Sequence, residues 1–176
     1  MLSRILDNAR KAAPEGRGAA RRVLCLIALF TAGASGAVSA GPEAGDEACS
    51  LLTPAQVSAA TNTPVGDGTY LMPTFRKTCT WTVTHPGPQG VKIVTVSFES
   101  LDMFAGGMKA GRNPGVSTTP VSGMGDSAYY LVTGDMAALH IKKQGLALKV
   151  AVYAKLPVAQ VEAMEKTLGA EVVSKL

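Results

Sequence analysis

The sequence predicts an α+β fold, in which three helices pack on an antiparallel sheet of about five or six strands, with one disulfide. Three observations carry this prediction. A capped helix signal stands at Thr53-Pro54-Ala55-Gln56, alternating apolar runs separated by Gly-containing turns fill the second half, and Pro157 precedes an apolar stripe with helical spacing. The chain has 176 residues, a length that suits one core of ordinary size once a leader is set aside.

The first 40 residues have the order of a secretory signal peptide. Residues 1–22 are basic and polar, residues 23–30 form a short apolar run, and a tract of small residues ends at Val38-Ser39-Ala40. This order predicts export and cleavage near Ala40, which places the mature protein in the periplasm or outside the cell. The alternative is an uncleaved membrane anchor, although the apolar run is shorter than the ~20 residues that a span requires.

The positive charge of the whole chain lies in this leader. Lys and Arg together number 17 against 13 Asp and Glu, a formal charge of +4. Residues 1–40 contain six of the basic and two of the acidic side chains, so residues 41–176 contain eleven of each. A neutral domain whose adjacent basic pairs are Arg76-Lys77 and Lys142-Lys143 argues against nucleic-acid binding. We expect contact with a membrane only through the export signal.

Two cysteines remain after the leader, Cys49 and Cys79. In an oxidising compartment such a pair is expected to form a disulfide. A metal pair or two free thiols are the alternatives, but neither His85 nor His140 lies at ligand spacing from a cysteine. We therefore predict a disulfide, with no metal site and no cofactor.

A single domain is predicted over residues 49–176, after a flexible polar linker over residues 41–48. Its first helix is expected from Pro54 to Thr61, because Thr53 and Gln56 are spaced as a capping box. A weak second helix is expected over residues 100–110 and a third after Pro157.

The strands are predicted from runs of β-branched and aromatic residues bounded by turn residues. Five runs meet this description: residues 78–84, 91–99, 128–132, 137–143 and 146–154. The last three are separated by short turns containing Gly134 and Gly145, which is typical of an antiparallel meander.

Three short motifs stand in order along this domain: Cys49-Ser50-Leu51-Leu52-Thr53, Cys79-Thr80-Trp81, and Gly123-Met124-Gly125-Asp126-Ser127-Ala128. Their combination resembles an uncharacterised family of small bacterial exported proteins, many of them lipoproteins. The resemblance implies a disulfide-stapled extracellular α+β domain without an assigned enzymatic activity, and it supplies no catalytic residues. The chain lacks the small residues expected before a lipidated cysteine at Cys25, so we expect a form without a lipid anchor.

Asp126 and the glycines before it are one candidate site. Backbone N–H groups at Gly123 and Gly125 could approach an anion, with Asp126 contacting a hydroxyl or a cation. The alternative is a tight turn into the next strand, in which Asp126 bonds the backbone. No helix signal follows the motif, so it does not have the context of a dinucleotide-binding fingerprint.

Two tyrosines and a tryptophan are candidates for a binding surface. Tyr129 and Tyr130 fall on opposite faces of a strand, which predicts that one of them is exposed and available to a partner. Trp81 could stack on a sugar or a base, but a sole tryptophan beside a disulfide is more often part of the core.

His140 is the candidate for general-base chemistry, on the strand face opposite Leu139 and Ile141. A hydrolase hypothesis would pair His140 with Asp126. Such an enzyme would also need a nucleophile, and no motif in the sequence supplies one. A plain strand histidine is the alternative.

The leading functional hypothesis is a non-enzymatic exported domain that binds an envelope protein or a small ligand. The alternatives are a small periplasmic hydrolase that uses His140 and Asp126, and a purely structural or accessory envelope protein.

Overall fold

The computed structural model describes residues 47–85, 87 and 90–176. The predicted signal peptide over residues 1–40 lies outside them, as does most of the linker predicted over residues 41–48. The last linker residue, Ala48, is buried and begins a 3-10 helix, Ala48–Ser50. Packing against the domain therefore begins at least one residue before the predicted boundary at Cys49.

Three α-helices and seven strands follow the 3-10 helix in the described part of the chain. In chain order they are α1 Pro54–Thr61, β1 Thr69–Met72, β2 Phe75–Thr82, β3 Val91–Glu99, α2 Leu101–Ala110, β4 Val116–Pro120, β5 Ser127–Thr133, β6 Met136–Lys143, β7 Leu146–Ala154 and α3 Val158–Ser174.

The strands form one antiparallel sheet in the order β1-β2-β3-β7-β6-β5-β4. The α+β prediction is confirmed, and the strand number is corrected from five or six to seven. The two strands missing from the prediction, β1 and β4, are the edges of the sheet. Each pairs on one side only and is mostly exposed, so neither shows the apolar alternation from which strands are predicted.

One face of the sheet, here called the inner face, is covered by α1 and α3. Cys79, Val96, Val150 and Leu139 lie side by side on it in adjacent strands, and all four are buried. From α3, the side chains of Val161, Leu168 and Val172 are buried against this face. This face contains the main hydrophobic core.

The predicted capping box of α1 is confirmed. The Thr53 hydroxyl accepts a hydrogen bond from the Gln56 N–H at 3.3 Å, and the Gln56 side chain accepts one from the Thr53 N–H at 2.9 Å. The Gln56 amide also donates to Glu171 of α3 at 2.6 Å. The cap thus fixes the start of α1 and links it to the other inner-face helix.

The predicted disulfide between Cys49 and Cys79 is present, with the two Cα atoms 4.9 Å apart. It ties the 3-10 helix to β2, directly beside α1. Trp81 lies two residues further along β2, on the same face, and is fully buried. Trp81 is therefore part of the core.

The opposite face is here called the outer face, and α2 is the one described helix that covers it. Phe104 is the one residue of α2 that is buried, against Tyr129, Ala147 and Leu131. Ser100 caps the helix by accepting a hydrogen bond from the Met103 N–H at 3.1 Å. No helix in the described part of the chain is long and apolar enough to cross a membrane.

Candidate functional site

The outer face carries a row of polar side chains across its centre. Tyr129 of β5, His140 of β6, Lys149 of β7 and Ser97 of β3 are direct neighbours in register. On the inner face, the neighbouring row of Leu139, Val150 and Val96 is apolar. The row places His140 on the face opposite Leu139 and Ile141, as the strand periodicity predicts.

His140 forms a buried pair with Glu99, the last residue of β3. The His140 Nδ1 lies 2.9 and 3.1 Å from the two carboxylate oxygens of Glu99. The side chains are only 8% and 5% exposed, so the pair is shielded from water and its members need hydrogen-bond partners within the protein. With Nδ1–H donating to Glu99, Nε2 is the remaining polar atom of the ring, and within the described residues it has no hydrogen-bond partner.

Tyr129 supports this pair from the side. Its ring is stacked on the His140 ring, with the centroids 4.9 Å apart and the planes within 1°. Its hydroxyl donates to the Phe104 carbonyl at 2.7 Å, which joins the sheet to α2. Burial, and next the charge of Glu99, raise the pKa of Tyr129 to about 12, so the phenol remains a neutral donor at physiological pH.

Beside His140 the sheet opens between β6 and β7. The ladder between these strands runs from Leu139 opposite Val150 to Lys143 opposite Leu146, so the start of β6 and the end of β7 are not paired with each other. The opening leaves a cavity of about 220 Å³ on the outer face. It is lined by Leu131, Thr133, Met136, Ala137, Ala138, His140, Lys149, Ala151 and Tyr153.

Glu165 of α3 enters the same opening from the inner side. Its Oε1 accepts a hydrogen bond at 3.0 Å from the N–H of Val152, which has passed the end of the β6–β7 ladder. Glu165 is fully buried, and its Oε2 has no partner among the described residues. Burial is the main reason that the pKa of Glu165 is raised to about 8, with the Val152 N–H opposing the rise and Glu162 adding to it.

Asp126 forms hydrogen bonds with the backbone of a turn, which was the alternative to an anion- or cation-binding site. Its carboxylate accepts a hydrogen bond from the Gln144 N–H at 2.8 Å, and its own N–H donates to the Lys142 carbonyl at 2.8 Å. Gly123 and Gly125 have φ values of +73° and +60°, which explains why glycine occupies both positions. The motif is a turn that braces the β6–β7 hairpin.

The hydrolase reading paired His140 with Asp126, and the structure does not support this pairing. The carboxylate beside His140 is Glu99, whereas Asp126 bonds the backbone of the hairpin. No hydroxyl or thiol among the described residues hydrogen-bonds to His140 Nε2.

The prediction that one of the two tyrosines is exposed is wrong, because both faces are covered where β5 runs. Tyr129 is buried under α2, and Tyr130 is buried under α3, where its hydroxyl donates to the Glu162 carbonyl at 2.6 Å. Burial, followed by the charges of Glu165 and Glu162, raises the pKa of Tyr130 to about 12. Neither tyrosine offers a free surface to a partner.

Glu99, Lys149 and Glu165 were not identified from the sequence. Glu99 is 41 residues from His140, and Glu165 is 13 residues from Val152. A glutamate at position 165 within the apolar stripe of α3 was the one available signal, because it follows Val161 at helical spacing and precedes Leu168.

No metal-binding cluster of His, Cys, Asp or Glu occurs among the described residues. No family model matches the chain, and no curated protein or solved structure shows significant similarity to it.

Proposed function

We propose that the chain is exported, that residues 1–40 are removed, and that the mature domain is a non-enzymatic protein that binds an envelope component or a small ligand through its outer face. The disulfide supports export, because such bonds persist in oxidising compartments. The resemblance to small bacterial exported proteins agrees with this location.

The observation that carries the binding function is the part of the outer face that none of the described helices covers. Around the opening between β6 and β7, Met136 and Tyr153 leave 60% and 43% of their surface in water. They border the 220 Å³ cavity, whose wall also contains the buried His140 ring. Large apolar side chains that surround a cavity in this way are typical of a binding surface.

Site-specific photo-crosslinking in the native host tests this proposal. A photoreactive phenylalanine analogue replaces Tyr153 on the outer face or, as the matched control, the exposed Thr167 on the solvent side of α3. We expect a defined adduct from position 153 and none from position 167. Identical adducts from both positions, or none from either, would contradict binding through the outer face.

Export is tested on the protein isolated from cells that express the full coding sequence. Removal of residues 1–40 leaves eleven basic and eleven acidic side chains, so the isoelectric point should fall well below the 9.1 of the whole chain. Intact-mass measurement should place the new N-terminus near Gly41. A full-length mass in the envelope fraction would show that the leader is retained.

A further inference from the structure

The cavity between β6 and β7 has one cationic end. Lys149 and His140 are directly opposite each other in the β6–β7 ladder, and both side chains line the cavity. Nearby, Glu99 is already engaged by His140 Nδ1. None of the described acidic side chains lines this cavity, so the Lys149 ammonium is the charged group that a ligand would meet there.

Apart from Thr133, the rest of the cavity wall is apolar. Its floor has the small side chains of Ala138 and Ala151, and its sides have Leu131, Met136 and Tyr153. The exposed parts of Met136 and Tyr153 would be covered by an apolar body lying between them. One end of the site therefore favours an anion and the remainder favours hydrocarbon.

The unpartnered Nε2 of His140 adds a second polar contact at the cationic end. It is a buried ring nitrogen that forms no hydrogen bond with any described residue, a state that carries a free-energy cost. Because Nδ1–H donates to Glu99, Nε2 can donate to a ligand when the ring carries a proton on both nitrogens. A carboxylate at the Lys149 end would supply the missing partner.

We propose that this cavity binds a small carboxylate with an apolar body, its carboxylate held by Lys149 and His140 and its hydrocarbon part between Met136 and Tyr153. The proposal rests on the proposed binding function of the outer face and specifies its ligand class. The volume suits the size, because a cavity of ~150 Å³ can hold benzene and this one is larger.

Hexanoate is the probe, and its neutral isostere hexanamide is the comparison. Each is titrated into the ¹⁵N-labelled protein, expressed from the full coding sequence, and followed by amide chemical shifts. We expect hexanoate to shift the signals of Ala138, Ala151 and Tyr153 saturably. Hexanamide should bind about tenfold more weakly, because it cannot form the charge-assisted contact.

Three variants locate the binding. Lys149→Gln should weaken hexanoate binding about tenfold, and Ala138→Leu should abolish it by filling the cavity. The matched control is Lys166→Gln, on the exposed side of α3, which should leave the affinity unchanged. Equal affinity for hexanamide, or an unchanged affinity in Lys149→Gln, would overturn the proposal.

Failure of this proposal can be told apart from failure of the proposed function. If hexanoate does not bind but position 153 still crosslinks to an envelope component, the carboxylate site is wrong and outer-face binding stands. If hexanoate shows no saturable shifts and neither crosslinking position reacts, both proposals are wrong.

Discussion

The two faces of the sheet are built from the same strands but are covered very differently. The inner face has two helices, the disulfide and the main core, with Trp81, Leu139 and Val150 fully buried. The outer face has one ten-residue helix, attached through Phe104 and the Tyr129 hydroxyl. The inner face therefore supplies most of the stability. The outer face contains buried polar side chains and a cavity, neither of which is needed to stabilise the fold.

The difference suggests that the elements that stabilise the fold and the polar features of the outer face are separated in space. A buried histidine–glutamate pair and a cavity both reduce stability unless something else offsets them. On this sheet they lie on the outer face, while the core and the disulfide stabilise the fold from the other side.

Removal of the disulfide is expected to have a large effect on stability at any one pH. Replacing Cys49 and Cys79 with alanine opens a loop whose ends are 30 residues apart, which should cost ~3–4 kcal/mol of unfolding free energy on the chain-entropy model. Urea denaturation of the double variant and of the parent measures the loss. Reduction of the parent protein should reproduce it, and a loss below ~1 kcal/mol would show that the inner face does not depend on the bridge.

Glu165 should make the stability of the domain fall as the pH rises from about 4.5 to about 8. Its folded-state pKa of about 8 lies above its ordinary value of 4.5, so the folded state binds the extra proton between these values. Stability is therefore full below about pH 4.5 and falls by on the order of 1 kcal/mol per pH unit as pH rises towards about 8.

The variant Glu165→Gln should flatten this pH dependence, because the amide oxygen can still accept from the Val152 N–H while carrying no charge. Unfolding free energies measured at several pH values test this. The exposed Asp67→Asn variant is the control and should keep the parent profile. A parallel decline in Glu165→Gln would assign the effect to another group.

A pair of core truncations compares the faces directly. Leu168→Ala on the inner face should cost ~3 kcal/mol, because it leaves a cavity in the main core. Phe104→Ala on the outer face should cost about 2 kcal/mol less, because α2 can detach locally while the sheet persists. Hydrogen exchange should then show loss of protection confined to α2. Equal global losses would mean that the faces are not independent.

The two glycines of α2 provide the smallest and sharpest comparison. A Cβ added at Gly106 would have no described atom within 4 Å, whereas a Cβ added at Gly107 would clash with the Tyr129 hydroxyl. Gly106→Ala should therefore stabilise the protein by ~0.5–1 kcal/mol through helix propensity. Gly107→Ala should destabilise it by ~1 kcal/mol, because Tyr129 must give up its bond to Phe104. Thermal unfolding of both variants measures the difference, and equal shifts would contradict the observed contact.

How far the sequence predicts the site can be judged from its residues. His140 was placed on the correct strand face because alternation is a local property. The alternative hydrolase hypothesis paired it with Asp126, whereas its partner is Glu99, since the pairing follows from the register of β3, β7 and β6 across the sheet. Exposure of one tyrosine was expected and is wrong, because the coverage of β5 depends on where α2 and α3 pack.

The capping box at Thr53, the disulfide partners and the five central strands follow from the sequence alone, because caps, alternation and a lone cysteine pair are visible within short windows or by count. The edge strands, the Glu99–His140 pair and the entry of Glu165 beside Val152 were decided by the tertiary structure. They arise where segments far apart in sequence meet, and strand register and helix placement, rather than local pattern, determine which side chains come into contact.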